Sequence, residues 1–133
     1  MHYLLLLISL VLAQVSPVNA DDCENAETQA MMNECANEGL KRSDSQLNAV
    51  YKQIEALLKS DGDKTKMLIA AQRAWVAYRD AECKFSASGV SGGSLYPSVY
   101  AGCLDSLTKA RIGDLKNYAA CQEGDLTCPI SSK

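Results

Sequence analysis

The sequence predicts an all-α domain: a small, disulfide-stabilised three-helix fold in which an antiparallel hairpin of two helices carries a third. Three observations predict it. Three long segments repeat their apolar residues at steps of three and four, the period of one helix face. Two stretches rich in Ser, Asp and Gly, at 60–63 and 86–98, separate those segments. Six cysteines follow an apolar leader, and an even number in a short exported chain reads as disulfides.

Residues 1–20 read as a signal peptide. The apolar run from Tyr3 to Ala13 is shorter than the ~20 residues of a membrane span, and Val18-Asn19-Ala20 supplies small residues for cleavage after Ala20. Cys23 follows Ala20-Asp21-Asp22, which is not a lipoprotein context. The expected product is periplasmic or secreted, with no membrane attachment once cleaved. The expected organisation is a leader over 1–20, a helical domain over 21–120 and a short disulfide-closed tail over 121–133.

Thr28 caps the first predicted helix, which runs to about Lys59 with the stripe Leu40, Asp44, Leu47, Tyr51, Ile54 and Leu58. Gly39 and the Ser43-Asp44 pair are expected to break it, Ser43 acting as an internal N-cap. Gly62, which tolerates positive φ, turns the chain at Ser60-Asp61-Gly62-Asp63, and Asp63 caps the next helix. That helix spans Lys64 to Phe85, and Leu68, Gln72, Trp75, Arg79 and Glu82/Cys83 share one face of it. The chain's only tryptophan draws this face inward, so Gln72 and Arg79 go with it. An unpaired buried guanidinium costs several kcal/mol, so Arg79 needs partners. The third helix runs from Pro97, suited to a first turn, to Ala120, with the stripe Tyr100, Leu104, Leu107, Arg111, Asp114/Leu115 and Tyr118.

These faces bring Asp44, Asn48, Gln72, Arg79, Asp80 and Arg111 into one expected structural polar layer, with Asp44 or Asp80 pairing Arg79 or Arg111. Cys121 and Cys128 pair in the tail. An antiparallel hairpin favours Cys35 with Cys83 and Cys23 with Cys103, and Cys23 with Cys35 and Cys83 with Cys103 is the alternative.

Composition excludes much chemistry. The single histidine, His2, lies in the leader, which removes histidine-dependent nucleophilic and metal mechanisms from the rest of the chain. With no CxxC pair, neither zinc nor any other cofactor is expected. The net charge is −3 with no basic cluster, against a nucleic-acid partner. A glycosidase-type carboxylate pair is the remaining route to hydrolysis. Asp80 beside Arg79 reads instead as an ion pair and Glu82 as a solvated side chain, so no enzyme is expected.

The ordered series is Cys23, Met32-Asn33-Glu34-Cys35, Leu47-Asn48-Ala49-Val50-Tyr51, Gln72-Arg73-Ala74-Trp75, Tyr78-Arg79-Asp80-Ala81-Glu82-Cys83, Gly92-Gly93-Ser94, Cys103 and Thr108-Lys109-Ala110-Arg111. From about Cys23 to Leu115 it resembles the lysozyme inhibitor LprI N-terminal domain family of small exported bacterial proteins. The resemblance implies a disulfide-linked helical domain and a lysozyme as the partner. The chain departs from the family pattern in its Cys121–Cys128 tail. The candidate contact is the loop Ser88 to Tyr96, where Gly92, Gly93 and Ser94 allow close backbone approach and Tyr96 offers an aromatic anchor. The same features suit a second reading, an interaction module with an unidentified envelope or secreted protein as partner.

Overall fold

The computed structural model describes residues 20–130. The expected leader up to residue 19 lies outside the described residues. Four helices form, with no strand among the described residues: α1 (Ala20–Glu24), α2 (Gln29–Leu57), α3 (Gly62–Ser86) and α4 (Tyr96–Ala119), plus one 3-10 turn at Ser88–Val90. The sequence pattern did not show α1, which is only five residues long and is bonded to α2 through Cys23–Cys35.

Thr28 caps α2 by accepting from the Met31 amide at 3.2 Å. The expected break does not occur. Ser43 is buried and donates to the Leu40 carbonyl at 3.0 Å, so its hydroxyl is satisfied inside an unbroken helix instead of capping a new one. Asp61, not Asp63, caps α3, accepting from the Lys64 amide at 3.0 Å. Gly62 is therefore the first helical residue, without positive φ. Asp63 falls in the first turn, where a carboxylate faces the positive end of the helix dipole.

The buried residues of α2 are Ser43, Leu47, Val50 and Ile54. Those of α4 are Ala101, Leu104, Thr108, Ile112 and Leu115. Relative to the expected stripes, both faces are rotated toward smaller residues, leaving Tyr100, Leu107 and Arg111 half-buried and Tyr118 exposed. Small side chains let α2 and α4 approach closely, and this pair makes the most extensive helix contact. The two run parallel: Gln29 bonds Ser98 at one end, and Leu58 and Ala119 meet at the other. α3 runs antiparallel to both and rests mainly on α4.

Leu47, Val50, Ile54 and Leu58 of the α2 segment join Ile112, Leu115 and the tail residue Ile130 in one core cluster. Leu68 and Trp75 bring α3 onto it. The tail folds back after Cys121, closes through Cys121–Cys128 and inserts Ile130, 7% exposed, into the core. Ile130→Ala is expected to lower stability by about 2 kcal/mol, the low end for a large-to-small core change. Chemical denaturation measures this, and an unchanged midpoint would mean that the tail is not part of the cooperative unit.

Candidate functional site

Arg79 reaches inward from α3 and its side chain is 13% exposed. Its Nη1 donates to Asp44 Oδ1 and Thr108 Oγ1, both at 3.1 Å, and its Nε donates to Asp80 Oδ1 at 3.0 Å. One guanidinium thus joins α2, α3 and α4. The Trp75 ring lies 5.2 Å from the Arg79 guanidinium carbon and 6.0 Å from that of Arg111. The negative ring face attracts both cations. Arg111 Nε donates to Gln72 Oε1 at 3.1 Å.

Five of the six expected layer residues therefore fall into two groups joined by Trp75. Asp44, Arg79 and Asp80 form one, and Gln72 and Arg111 form the other. Asn48 is a correction: it is exposed and makes no hydrogen bond with the layer. It follows Leu47, which points into the core, so it is turned about 100° away from that face. Thr108 takes the place foreseen for Asn48. Its signal was its spacing, four residues from both Leu104 and Ile112, on a stripe one step round from the expected one.

A second polar cluster went unforeseen, although Asp105 and Lys109 stand at the i,i+4 spacing of a helical ion pair. Lys109 Nζ donates to Asp105 Oδ2 at 2.7 Å. Burial pushes the Asp105 carboxyl up, but Lys109, Ser43 and Arg42 outweigh it and hold the group below the ordinary carboxylate value. The Ser43 proton goes to the Leu40 carbonyl, so Lys109 carries most of this effect. Asp105 Oδ1 is buried and accepts no hydrogen bond. A carboxyl with a lowered folded pKa stabilises the fold above its unfolded pKa, about 3.9, and loses that contribution as pH falls through the folded value. Asp125, held down by Thr127, acts in the same direction. The melting temperature is therefore expected to fall below about pH 4, and Asp105→Asn, which cannot titrate, is expected to flatten that fall. A pH series of thermal melts measures both.

The loop between α3 and α4 is tied at three places. Cys83–Cys103 joins the end of α3 to α4. Asn33 Nδ2 of α2 donates to the Ser94 carbonyl at 3.0 Å, and Gln29 Nε2 holds both Asn33 Oδ1 at 2.8 Å and Ser98 Oγ at 3.1 Å. Successive turns close inside it: Val90 to Ala87, Ser91 to Ser88, Gly93 to Val90 and Tyr96 to Gly93, all at 3.1–3.2 Å. Gly92 sits at φ +78°, which an L side chain rarely adopts. Gly92, Gly93 and Ser94 are exposed at the tip, followed by Leu95 at 43% exposure. Tyr96 is half-buried, its ring stacked on Tyr100 with centroids 5.6 Å apart. The struts Gln29 and Asn33 could not be read from sequence because they lie more than sixty residues from the loop.

The cysteines pair as Cys23–Cys35, Cys83–Cys103 and Cys121–Cys128. This corrects the favoured hairpin pairing of Cys35 with Cys83. α1 folds back on α2 and places Cys23 against Cys35, while Cys83 and Cys103 brace the loop. A groove of about 560 Å³ runs between α2 and α3, lined by Asp44, Tyr51, Gln72, Arg73, Val76 and Arg79. Burial, then Glu55, push the Tyr51 phenol up there. No group of His, Cys, Asp or Glu suited to hold a metal occurs among the described residues, and no helix among them is long and apolar enough to cross a membrane. The loop Ser88–Tyr96 is exposed at its tip and braced by Cys83–Cys103 and by Asn33 of α2.

A family model described as lysozyme inhibitor LprI matches residues 20–115, from α1 through most of α4. An uncharacterised protein of Rhizobium meliloti (strain 1021) is 34% identical over 124 residues, covering 82% of this chain and 89% of that protein. No solved structure matches.

Proposed function

This chain belongs to the lysozyme inhibitor LprI family, and on that premise we propose that it is an exported, non-catalytic protein that blocks a lysozyme-type muramidase by direct contact. The protein acts in the periplasm or outside the cell, after cleavage of its leader near Ala20. The observation that carries this reading is the braced loop Ser88–Tyr96. A disulfide, two α2 side chains and a run of backbone turns hold it in one conformation before any partner arrives. Such a loop loses little conformational entropy on binding, which is how rigid inhibitor loops gain affinity. Gly92-Gly93-Ser94 brings bare backbone to the partner, and Leu95 supplies apolar area beside it. Tyr96 is committed to Tyr100 and supports the loop from behind. The net charge of −3 favours encounter with a cationic enzyme.

The test is lysis of bacterial cell walls by a C-type lysozyme, with the oxidised protein titrated in. Inhibition is expected to rise with dose. Leu95→Asp and Ser94→Arg are each expected to weaken it at least about tenfold, near 1.4 kcal/mol, with the melting temperature unchanged. Full inhibition by both variants would move the contact away from the loop. Absence of inhibition by the unaltered protein would leave an interaction module with another envelope or secreted partner.

A further inference from the structure

We propose that the cleft between α3, α4 and the tail binds a single-chain acyl carboxylate, its apolar chain lying along α3 and its carboxylate held by Arg111. This inference does not rest on the inhibitor reading. The cleft has a volume of about 450 Å³. Met67, Leu68 and Ala71 of α3 line one side, and Tyr118, Pro129 and Ile130 line the other. The buried side chains of Ile54 and Leu58 close its floor. Its charged lining residues are Lys64 and Arg111, both cations. A concave, mainly apolar surface with a few convergent polar groups is the make-up of a small-molecule site. Tyr118, Pro129 and Ile130 lie beyond the segment 20–115 that the family model matches, so the end of α4 and the tail build this wall.

Charge selects the head group. Arg79 and Arg111 are the half-buried arginines among the described residues. Arg79 has two carboxylates, Asp44 and Asp80, whereas Arg111 has none among the described residues. Arg111 is held in place by its Nε bond to Gln72 Oε1 at 3.1 Å and by the Trp75 ring 6.0 Å away. Its Nη1 and Nη2 make no hydrogen bond among the described residues, and neither is shut off from the surface. They form the fork that a carboxylate meets with two parallel bonds. A guanidinium drawn partly out of water without an anion is costly, and a bound carboxylate relieves that cost. Length selects the chain. α3 and α4 run antiparallel, and the Gln72–Arg111 bond marks one end of the cleft. From Gln72 back to Lys64, α3 rises about 12 Å, which suits an extended acyl chain of about eight to ten carbons. At that far end Lys64 lays its stem along the cleft, with its ammonium 3.7 Å from Asp61. The volume holds one such chain, not the two longer chains of a membrane lipid.

Amide NMR titrations of the oxidised protein without its leader, with octanoate and with octanol, test the proposal. Octanoate is expected to shift amides around Ala71, Tyr118 and Ile130 and to saturate with a dissociation constant below about 1 mM. Octanol has the same chain and no charge, and is expected to bind at least about tenfold more weakly. Arg111→Met keeps an apolar stem and removes the fork. It is expected to bring octanoate down to the affinity of octanol and to leave octanol unchanged, a split that a merely loosened fold would not produce. Ala71→Phe, at an exposed helical position, fills the cleft and is expected to abolish binding of both with the melting temperature unchanged. Equal affinity for octanoate and octanol, octanoate binding unmoved by either variant, shifts confined to residues away from the cleft, or no shift up to about 10 mM octanoate would each overturn the proposal. None of these results bears on whether the loop inhibits lysozyme, which the lysis assay reads separately.

Discussion

Arg79→Ala is expected to lower the stability of the domain by about 3 kcal/mol, well above the ~1 kcal/mol centre of point-mutant effects. The magnitude comes from what the guanidinium leaves behind. Thr108 is fully buried, and its hydroxyl loses its partner on Arg79, at about 1–3 kcal/mol for an unsatisfied buried group. The contact with the Trp75 ring contributes about 0.5–2 kcal/mol more. The ion pairs with Asp44 and Asp80 add little, because those carboxylates are 44% and 42% exposed and water screens them. This division makes a sharper prediction. Thr108→Val in the Arg79→Ala background is expected to recover part of the loss, because it removes the stranded hydroxyl. Asp44→Asn alone is expected to cost less than about 1 kcal/mol. Urea denaturation of the four proteins measures the set, and an unchanged midpoint for Arg79→Ala would exclude the inter-helix role of this residue.

Removing the Cys83–Cys103 bond by the paired change Cys83→Ala and Cys103→Ala is expected to cost about 3 kcal/mol and to weaken inhibition more than stability alone explains. The bond closes a separation of 20 residues, and that closure restricts the unfolded chain. Alanine is the suitable replacement because Cys83 is fully buried and serine would strand a hydroxyl there. The functional half follows from position. The two cysteines brace the loop from both sides, so without the bond Asn33 and Gln29 hold it alone. At a temperature where the variant remains folded, inhibition is expected to fall at least about tenfold. The paired change Cys23→Ala and Cys35→Ala, which loosens α1 from α2 instead, serves as the comparison. Equal losses of inhibition in both pairs would mean that the loop has no special dependence on its own brace.

How much of this was legible in the chain depends on how local each feature is. The Thr28 cap and the three long helices depend on neighbours within a turn or two, and period and cap chemistry report such neighbours directly. Ser43 misled because a serine followed by an aspartate, four residues after Gly39, has the chemistry of a helix start, and only burial against α4 shows that its hydroxyl turns back to Leu40. The face of α4 misled for a related reason. Large side chains at 100, 107 and 111 suggest a stripe, yet close approach of α2 selects Ala101 and Thr108. In the polar layer, inward Arg79 beside Trp75 was readable, since a lone tryptophan fixes which face turns in. Its partner Thr108 was not, because the choice between Thr108 and Asn48 depends on how α2 and α4 are rotated about their axes.

By itself the sequence determined the helical class, the limits of the long helices to within a few residues, the inward turn of Trp75 and Arg79, and membership in a family of lysozyme inhibitors. All of these rest on side chains read at short range or in a fixed order. Only the tertiary structure decided that α2 pairs most closely with α4, that Cys83 bonds Cys103, that Ile130 closes the core and that Asn33 braces the loop. Each of these joins segments far apart along the chain. Their pairing is settled by which combination of faces buries the most apolar area while leaving the fewest polar groups unpaired, and that comparison exists only once all three long helices are placed together.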